Sequence, residues 1–337
     1  MPGTPGITQF GSPGISQRTN VYAERTMLKH AAPVMVLEKA GPLMKQMPKN
    51  KSQTIKFRRP VPFSAATTPL QEGITPTATQ FRYEDVTGVL KQYGMIVAIT
   101  DHIEDTHEDP VLNDASIQCG ENIGRTQEAI DWGVLRAGTN VFYANGTQRT
   151  DVNTPVTLAK LRAVIRGLKA QKAYKITSVL DSSPNFATRA VEASYVAVCH
   201  TDCENDIRNL EGFIPCASYG SRTMICPEEL GSVQEIRFIC SPDLDPHRDA
   251  GGAAGNMVTT GGTSADIYPI LIFGKEAWGK VALRGQGSVS PSILRPGMIS
   301  KSDPLGQRGS VGWKMWHLSL ILNDAWMARL ETAVTEL

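Results

Sequence analysis

The chain has 337 residues, with 34 Lys and Arg against 33 Asp and Glu and a formal charge of +1 at neutral pH. It is 41% hydrophobic and 20% charged, enough apolar material for a packed interior and too little charge for a disordered chain. No run approaches the ~18 consecutive apolar residues of a membrane helix, and the near-zero sum argues against a uniformly basic nucleic-acid binder or an acidic mimic.

The length suits roughly two domains or one elaborated domain. Met1 to Asn20 is rich in Gly, Pro, Ser and Thr; it lacks the apolar core of a signal peptide and reads as a flexible tail. Val21 to Gln46 has helical periodicity broken at Pro33 and at Gly41-Pro42, which predicts short helices with little core of their own, lying against something else. Ser52–Arg59 alternates, with Ile55 and Phe57 on one face and Thr54, Lys56 and Arg58 on the other, as a half-buried strand does. Val61 to Thr79 is Pro- and Thr-rich, and Phe81–Tyr93 is extended again. Two strands joined by about twenty irregular residues make an unusually long connection, of a kind that is functional or held by a partner.

Val111 to Ala137 predicts a long helix carrying Ile117, Ile123, Ile130 and Val134. Gly120 and Gly124 within it each cost about 1 kcal/mol relative to Ala, which suggests a closely packed neighbour. Asp101, Glu104, Asp105, Glu108, Asp109 and Asp114 gather before and at its start. A second helix is expected from Thr154 as N-cap and Pro155 as first residue, with Leu158, Leu161, Val164, Ile165 and Leu168 on one stripe. Short strands should follow from Lys175, interrupted by a Gly-rich exposed loop at Asp249–Thr263. Trp316, Leu318, Leu320 and Leu322 share one face of a half-buried strand near the end.

The neutral total conceals an uneven distribution. Residues 1–60 hold ten basic and two acidic side chains; residues 61–150 hold five basic and twelve acidic; the rest is balanced. A basic arm therefore precedes an acidic segment.

Motifs of chemistry come close without completing. Gly274 to Lys280 has the G-x4-G-K spacing of a phosphate loop, but Val281 stands where a magnesium-binding hydroxyl is needed, and Arg284-Gly285-Gln286-Gly287 ends any helix early. His102 and His107 are five apart rather than the four of a zinc helix. The carboxylates around them lack EF-hand spacing, leaving a solvated or partner-facing acidic surface or a weak calcium site. Cys199, Cys203, Cys216 and Cys226 lack C-x2-C spacing; reduced thiols, a disulfide and a metal site all remain open, with a reduced compartment as the default. The five tryptophans read as core or interface rather than as a stacking platform. No catalytic residue, cofactor site or metal site is expected.

Lys56–Val86 (KFRRPVPFSAATTPLQEGITPTATQFRYEDV), followed by Gln92-Tyr93-Gly94, resembles the early signature of the major capsid proteins of tailed bacteriophages, in the branch named after coliphage N-four. Ala193–Pro215, Glu228–Pro242, Tyr268–Leu283, Ser302–Trp316 and Ile321–Ala333 extend the likeness over nearly the whole chain in the expected order. The resemblance implies the α+β Hong Kong 97 (Johnson) fold. Its parts would be an N-terminal arm at 1–47, an E-loop at 48–93, a P-domain with its spine helix at 94–150, an A-domain at 151–294, and a return to the P-domain at 295–337. It implies hexamers and pentamers forming an icosahedral head around double-stranded DNA, assembled in the host cytoplasm. The implied partners are the portal protein, a separate scaffolding protein and a decoration protein, with no membrane. In that setting Arg58 and Arg59 would pair with a neighbour's Asp101, Glu104, Asp105, Glu108 or Asp109, or else be plain exposed strand charges. Glu72, Gly73, Thr75 and Pro76 would shape a turn near the E-loop tip. The competing readings are a nucleotide hydrolase using Lys280 and a nucleic-acid-binding module using the basic arm.

Overall fold

The computed structural model describes residues 7–8, 35–70, 72–106, 111–180, 188–220, 222–283, 289–299 and 303–337. Most of the expected arm, together with His107, Glu108, Asp109 and residues 284–288, lies outside them. In chain order the first half contributes β1 (Ile7–Thr8), β2 (Leu43–Met47), β3 (Thr54–Pro60), β4 (Tyr83–Val89), β5 (Lys91–Thr100), α1 (Asp101–Thr106), α2 (Val111–Leu135), β6 (Val141–Tyr143) and α3 (Leu158–Ala170). The second half contributes β7 (Ile176–Leu180), β8 (Thr188–His200), α4 (Glu204–Arg208), β9 (Phe213–Pro215), β10 (Glu229–Val233), β11 (Ile236–Ser241) and β12 (Tyr268–Phe273). It ends with β13 (Trp278–Leu283), β14 (Val289–Leu294), β15 (Arg308–Ile321) and β16 (Met327–Thr332).

These strands form two large sheets and one separate hairpin. A six-stranded sheet runs β1-β5-β15-β13-β2, with β14 also on β15; an eight-stranded sheet runs β6-β16-β12-β8-β11-β10-β9, with β7 also on β8; β3 and β4 pair only with each other. Sheet membership cuts the chain differently from the expected boundaries. Strands β13 and β14 lie beside β15, outside the sheet that holds most of 151–294, whereas β16 and β6 belong to that larger sheet. The chain therefore crosses between the sheets more than once, and its last strand returns to the larger sheet rather than to the one built on β5 and β15.

The larger sheet is covered on both faces. On one, α3 buries Leu161, Val164, Ile165 and Leu168 against Tyr195, Ala197, Ile270, Ile272 and Leu330. On the other, Val196, Val198, Leu271 and Phe273 meet Trp132 and Leu135 of α2 and Val36, Leu37 and Ala40. Burial on both sides explains why β12 and β16 are buried at every position and why β12 reads as a continuous apolar run. Earlier in α2, Cys119, Ile123 and Ile130 pack on Val311, Trp313 and Met315 of β15. The opposite face of β15 is also enclosed, since Trp316, Leu318 and Leu320 join Met47, Leu90 and Val281. The strand is thus covered on both faces, more completely at Met315 and His317 than at Trp316 and Leu318, and Lys314 stays exposed.

Other expectations shift locally. Leu43–Met47 is a strand parallel to β13, not a helix, because β13 offers it an open edge. The second helix starts at Leu158 with Thr157 as N-cap; Thr154 is not the cap, since its hydroxyl donates to Asn145 Oδ1 at 2.9 Å. Gly120 faces open space, so close packing does not explain it, whereas Gly124 is buried. The Gly-rich loop is tied down at Asp266, which is 3% exposed: its carboxylate accepts the Asp249 N–H at 2.7 Å and the Thr260 hydroxyl at 2.7 Å.

Inside β16, Glu331 is fully buried between two arginines. Arg149 donates Nε to Oε2 at 2.8 Å and Nη2 to Oε1 at 2.6 Å, and Arg329 Nε lies 2.9 Å from Oε1. Removing Glu331 would leave the largely buried Arg329 without its carboxylate partner. Glu331→Ala should therefore lose about 3–5 kcal/mol of stability, read as a lower denaturant midpoint of the soluble subunit, with Glu331→Gln falling between it and the parent.

Candidate interaction surface

Two strands stand apart from both large sheets and carry a long irregular segment between them. The β3–β4 ladder is antiparallel, with Phe57 opposite Val86, Arg58 opposite Asp85, Arg59 opposite Glu84 and Pro60 opposite Tyr83. Alternation gives it two unlike faces. Ile55, Phe57 and Val86 pack toward Trp316 and Leu318, and a Cβ on Gly88 would stand 2.8 Å from Leu318 Cδ2. Glycine thus allows the stem to lie flat on β15.

The charges sit elsewhere. Arg58 grips Asp85 with two bonds, Nε to Oδ1 at 2.7 Å and Nη2 to Oδ2 at 3.0 Å, while Lys56 Nζ stands 3.4 Å from Oδ2. Arg59 Nε donates to Glu84 Oε2 at 2.8 Å. Within one chain, then, the structure does not bring Arg58 and Arg59 to the acidic cluster; both are satisfied by the opposite strand of their own hairpin. Neither partner was singled out in the sequence, although a basic pair in one strand and an acidic pair in the next was the available signal. The bond from Arg58, followed by Lys56 and the charges of both, holds the Asp85 carboxyl down to about 2 against the desolvation that opposes it.

Above the stem an aromatic row continues outward. The Arg58 guanidinium lies 5.1 Å from the Tyr83 ring centre, Tyr83 meets Phe81 edge-on at 4.6 Å, and Phe81 meets Phe63 at 5.9 Å. Among the described residues, 61–82 carry no helix or strand. Phe63, Leu70, Ile74, Phe81 and Tyr83 are all more than half exposed, Leu70 at 77%. A single exposed apolar side chain needs no explanation, but a run of five on one projection marks a surface meant to be covered. Glu72, Gly73, Thr75 and Pro76 lie in this exposed segment, and Gly73 has φ +75°, the left-handed conformation that favours glycine.

The remaining candidates fall elsewhere. Asp101, Glu104 and Asp105 belong to α1, pinned by buried Ile103, with the Asp101 carboxylate accepting the His102 N–H at 2.7 Å. Cys199, Cys203 and Cys226 are buried and Cys216 half-buried, and all six cysteines are free thiols. Cys199 lies opposite Cys240, a neighbour absent from the sequence reading, with 3.5 Å between the sulfurs. Hydrogen bonding with Cys203 and Cys240, reinforced by burial, pushes the Cys199 thiol well above its ordinary range, and burial lifts Cys226 to about 12. Such thiols are poor nucleophiles and poor ligands. The described residues contain no group of three or more His, Cys, Asp or Glu arranged to hold a metal, and no helix among them is long and apolar enough to cross a membrane.

Lys280 is not in a phosphate loop. It lies within β13, so no helix N-terminus follows, and its ammonium bonds to Glu38 and approaches Gln127 Oε1 at 3.5 Å. Its charge is committed inside the subunit.

A family model described as phage capsid protein matches residues 83–329. The chain belongs to the phage capsid protein family. It is a major capsid protein, and copies of it assemble into the lattice of the phage head in the virion. Solved phage capsids agree in fold. The capsid of Ralstonia phage GP4 superposes with a TM-score of 0.68 at 10% identity, covering 99% of both chains. The capsid of cyanophage P-SCSP1u gives 0.61 at 14% identity, covering 99% of this chain and 100% of that one. The head of Helicobacter pylori bacteriophage KHP40 gives 0.61 at 10% identity with 96% of each chain covered. No curated protein sequence matches. The capsid protein thus has the α+β Hong Kong 97-type fold.

Because the Asp85 carboxyl is lowered, its contribution to the stem is complete above the ordinary value near 3.8 and is lost as the pH falls through about 2. Arg58→Asp and Asp85→Arg should each speed limited proteolysis of residues 54–89 by about two- to five-fold, and the double exchange should restore the parental rate. A double variant cleaved as fast as either single one would refute pairing within the hairpin.

Proposed function

We propose that the capsid protein forms hexamers and pentamers of an icosahedral head enclosing double-stranded DNA, with the β3–β4 projection serving as the E-loop that reaches onto an adjacent copy. The observation that carries this reading is the exposed aromatic row at Phe63, Phe81 and Tyr83 above a stem whose charges are already paired. A projection with no unsatisfied charge at its base and apolar side chains at its outer part suits burial against another protein surface. Glu72, Gly73, Thr75 and Pro76 shape its outer turn, and Asp101, Glu104 and Asp105 offer an acidic face for a neighbour's basic side chains. Glu108 and Asp109 belong to the same reading on sequence grounds.

In this assignment α2 is the spine helix, the β5–β15 sheet is the core of the P-domain, and the larger sheet with α3 is the core of the A-domain. The boundaries follow sheet membership, so β13 and β14 go with the P-domain and β16 with the A-domain. The protein acts by assembly and not by catalysis, which is consistent with the internal commitment of Lys280. Subunits would assemble in the host cytoplasm with a portal and a separate scaffolding protein. Decoration proteins would bind outside, and packaged DNA would be met without sequence readout. Weak individual contacts suffice, since a closed shell engages many at once.

Negative-stain microscopy of the purified protein tests the assembly state: shells or ring-shaped capsomers are expected, and a strictly monomeric protein at high concentration would count against the proposal. Replacing Phe63 and Phe81 by Ser should leave the unfolding midpoint of the subunit unchanged, because both rings are exposed, while reducing the yield of closed shells at least ten-fold (about 1.4 kcal/mol lost at the contact).

A further inference from the structure

A cluster of charged groups lies where α2 passes under residues 36–40, and the assembly surface does not use it. Glu128 and Asp131, three apart and so on one side of the helix, are 3% and 0% exposed. A single oxygen of Glu128, Oε1, accepts the N–H groups of both Val36 and Leu37, at 2.9 and 3.0 Å. Val36, Leu37 and Ala40 are themselves fully buried, so this carboxyl supplies the acceptor for main-chain donors that have lost water.

The surrounding charges come from every element in contact. From α2, Asp131 Oδ1 meets His317 Nε2 of β15 at 2.6 Å, and its Oδ2 is 3.7 Å from Lys280 Nζ of β13. From the arm, Glu38 binds Lys280, and Lys39 is the adjacent basic residue. Lys280 favours an ionised Glu128 and Asp131 disfavours it, but burial outweighs both.

We propose that Glu128 makes the docking of residues 36–40 onto α2 proton-linked, so that the docked segment is held most firmly in acid and loosens as the solution becomes alkaline. When the segment leaves, water reaches Glu128 and the carboxyl regains its ordinary acidity. When the segment docks, desolvation raises the value to about 7 from 4.5, even though the two backbone bonds pull it down. The docked state therefore binds a proton that the undocked state has released. Docking has its full strength below about 4.5, weakens through about 7, and is level beyond.

The segment can undock without dismantling a sheet. Gly41 follows it at φ +65°, in the left-handed region, and its carbonyl is held by the Glu276 N–H at 3.1 Å. Leu43–Met47 beyond is paired along β13. Gly41 is thus a fixed pivot with an anchored strand on one side and the proton-linked segment on the other. The undocked segment would leave an apolar bed formed by Trp132, Leu135 and Trp278, and its own Val36 and Leu37 would be free to pack on another copy.

Hydrogen–deuterium exchange of the full-length protein, as soluble subunit and as assembled shell, tests this between pH 5 and 8.5 after correction for intrinsic rates. Protection of the 36–40 amides should fall roughly 50- to 100-fold across that range, while protection of α3 stays level. Glu128→Gln keeps a carbonyl acceptor but cannot ionise, and should hold the segment at every pH. Glu128→Leu removes the acceptor and should leave it unprotected at every pH. His317→Gln should preserve the slope. A level wild-type profile, a slope that survives in Glu128→Gln, or a slope abolished by His317→Gln alone would each overturn the proposal.

Discussion

A helix of 25 residues is about 37 Å long, and α2 has to bury its inner side against two sheets that do not share a strand order. Its middle packs on β15 through Cys119, Ile123 and Ile130. Its last turn enters the larger sheet's core through Trp132 and Leu135. Glu128 and Asp131 are interleaved with Ile130 and Trp132, where the helix passes across the seam from one sheet to the other. Apolar packing cannot serve there, because the seam brings together backbone N–H groups, a lysine and a histidine that all need partners. The two carboxylates meet those needs, so the relative placement of the sheets depends on a polar junction within an otherwise apolar helix face.

The hairpin follows a complementary rule. Its charges are neutralised close to the body of the subunit, by Asp85 and Glu84, and its apolar side chains are left outside. Ion pairs at an exposed stem add little stability, but they fix the direction in which the projection leaves the sheet. Orientation matters for a protein that meets many copies of itself, since a misdirected projection would offer the aromatic row to the wrong surface.

Legibility in the sequence depended on whether a pattern was local. Ile55 and Phe57 alternate because one side of β3 is buried, and Leu161, Val164, Ile165 and Leu168 repeat at helical spacing because one side of α3 is buried. Both patterns can be read without knowing the partner. Leu43–Met47 could not be read in that way: its strand character comes from the open edge of β13, far along the chain. Cys240 was silent because its closeness to Cys199 exists only across two paired strands. Arg58 and Arg59 were expected to meet a neighbour's acidic cluster; within the chain they pair with Asp85 and Glu84, more than twenty residues further on. Glu128 drew no notice in the sequence, since nothing nearby announces that the main chain of residues 36–37 will rest on it. The capsid fold itself was carried by short stretches spread along the chain, and the sheet boundaries were not.

The position of β16 has a bearing on how the subunit is made. This strand lies between β12 and β6, buried at every position, and it supplies Glu331 to Arg149. The ribosome adds roughly 5–20 residues each second, so the larger sheet stays open along β12 until Met327–Thr332 has been made, with an apolar groove awaiting its occupant. A nascent chain cannot present a finished surface to its fellows while still attached behind Met327, and a truncated product that stops before it never closes the sheet. Strand order therefore ties closure of the larger sheet to the synthesis of β16, long after β12 and β6 have been made.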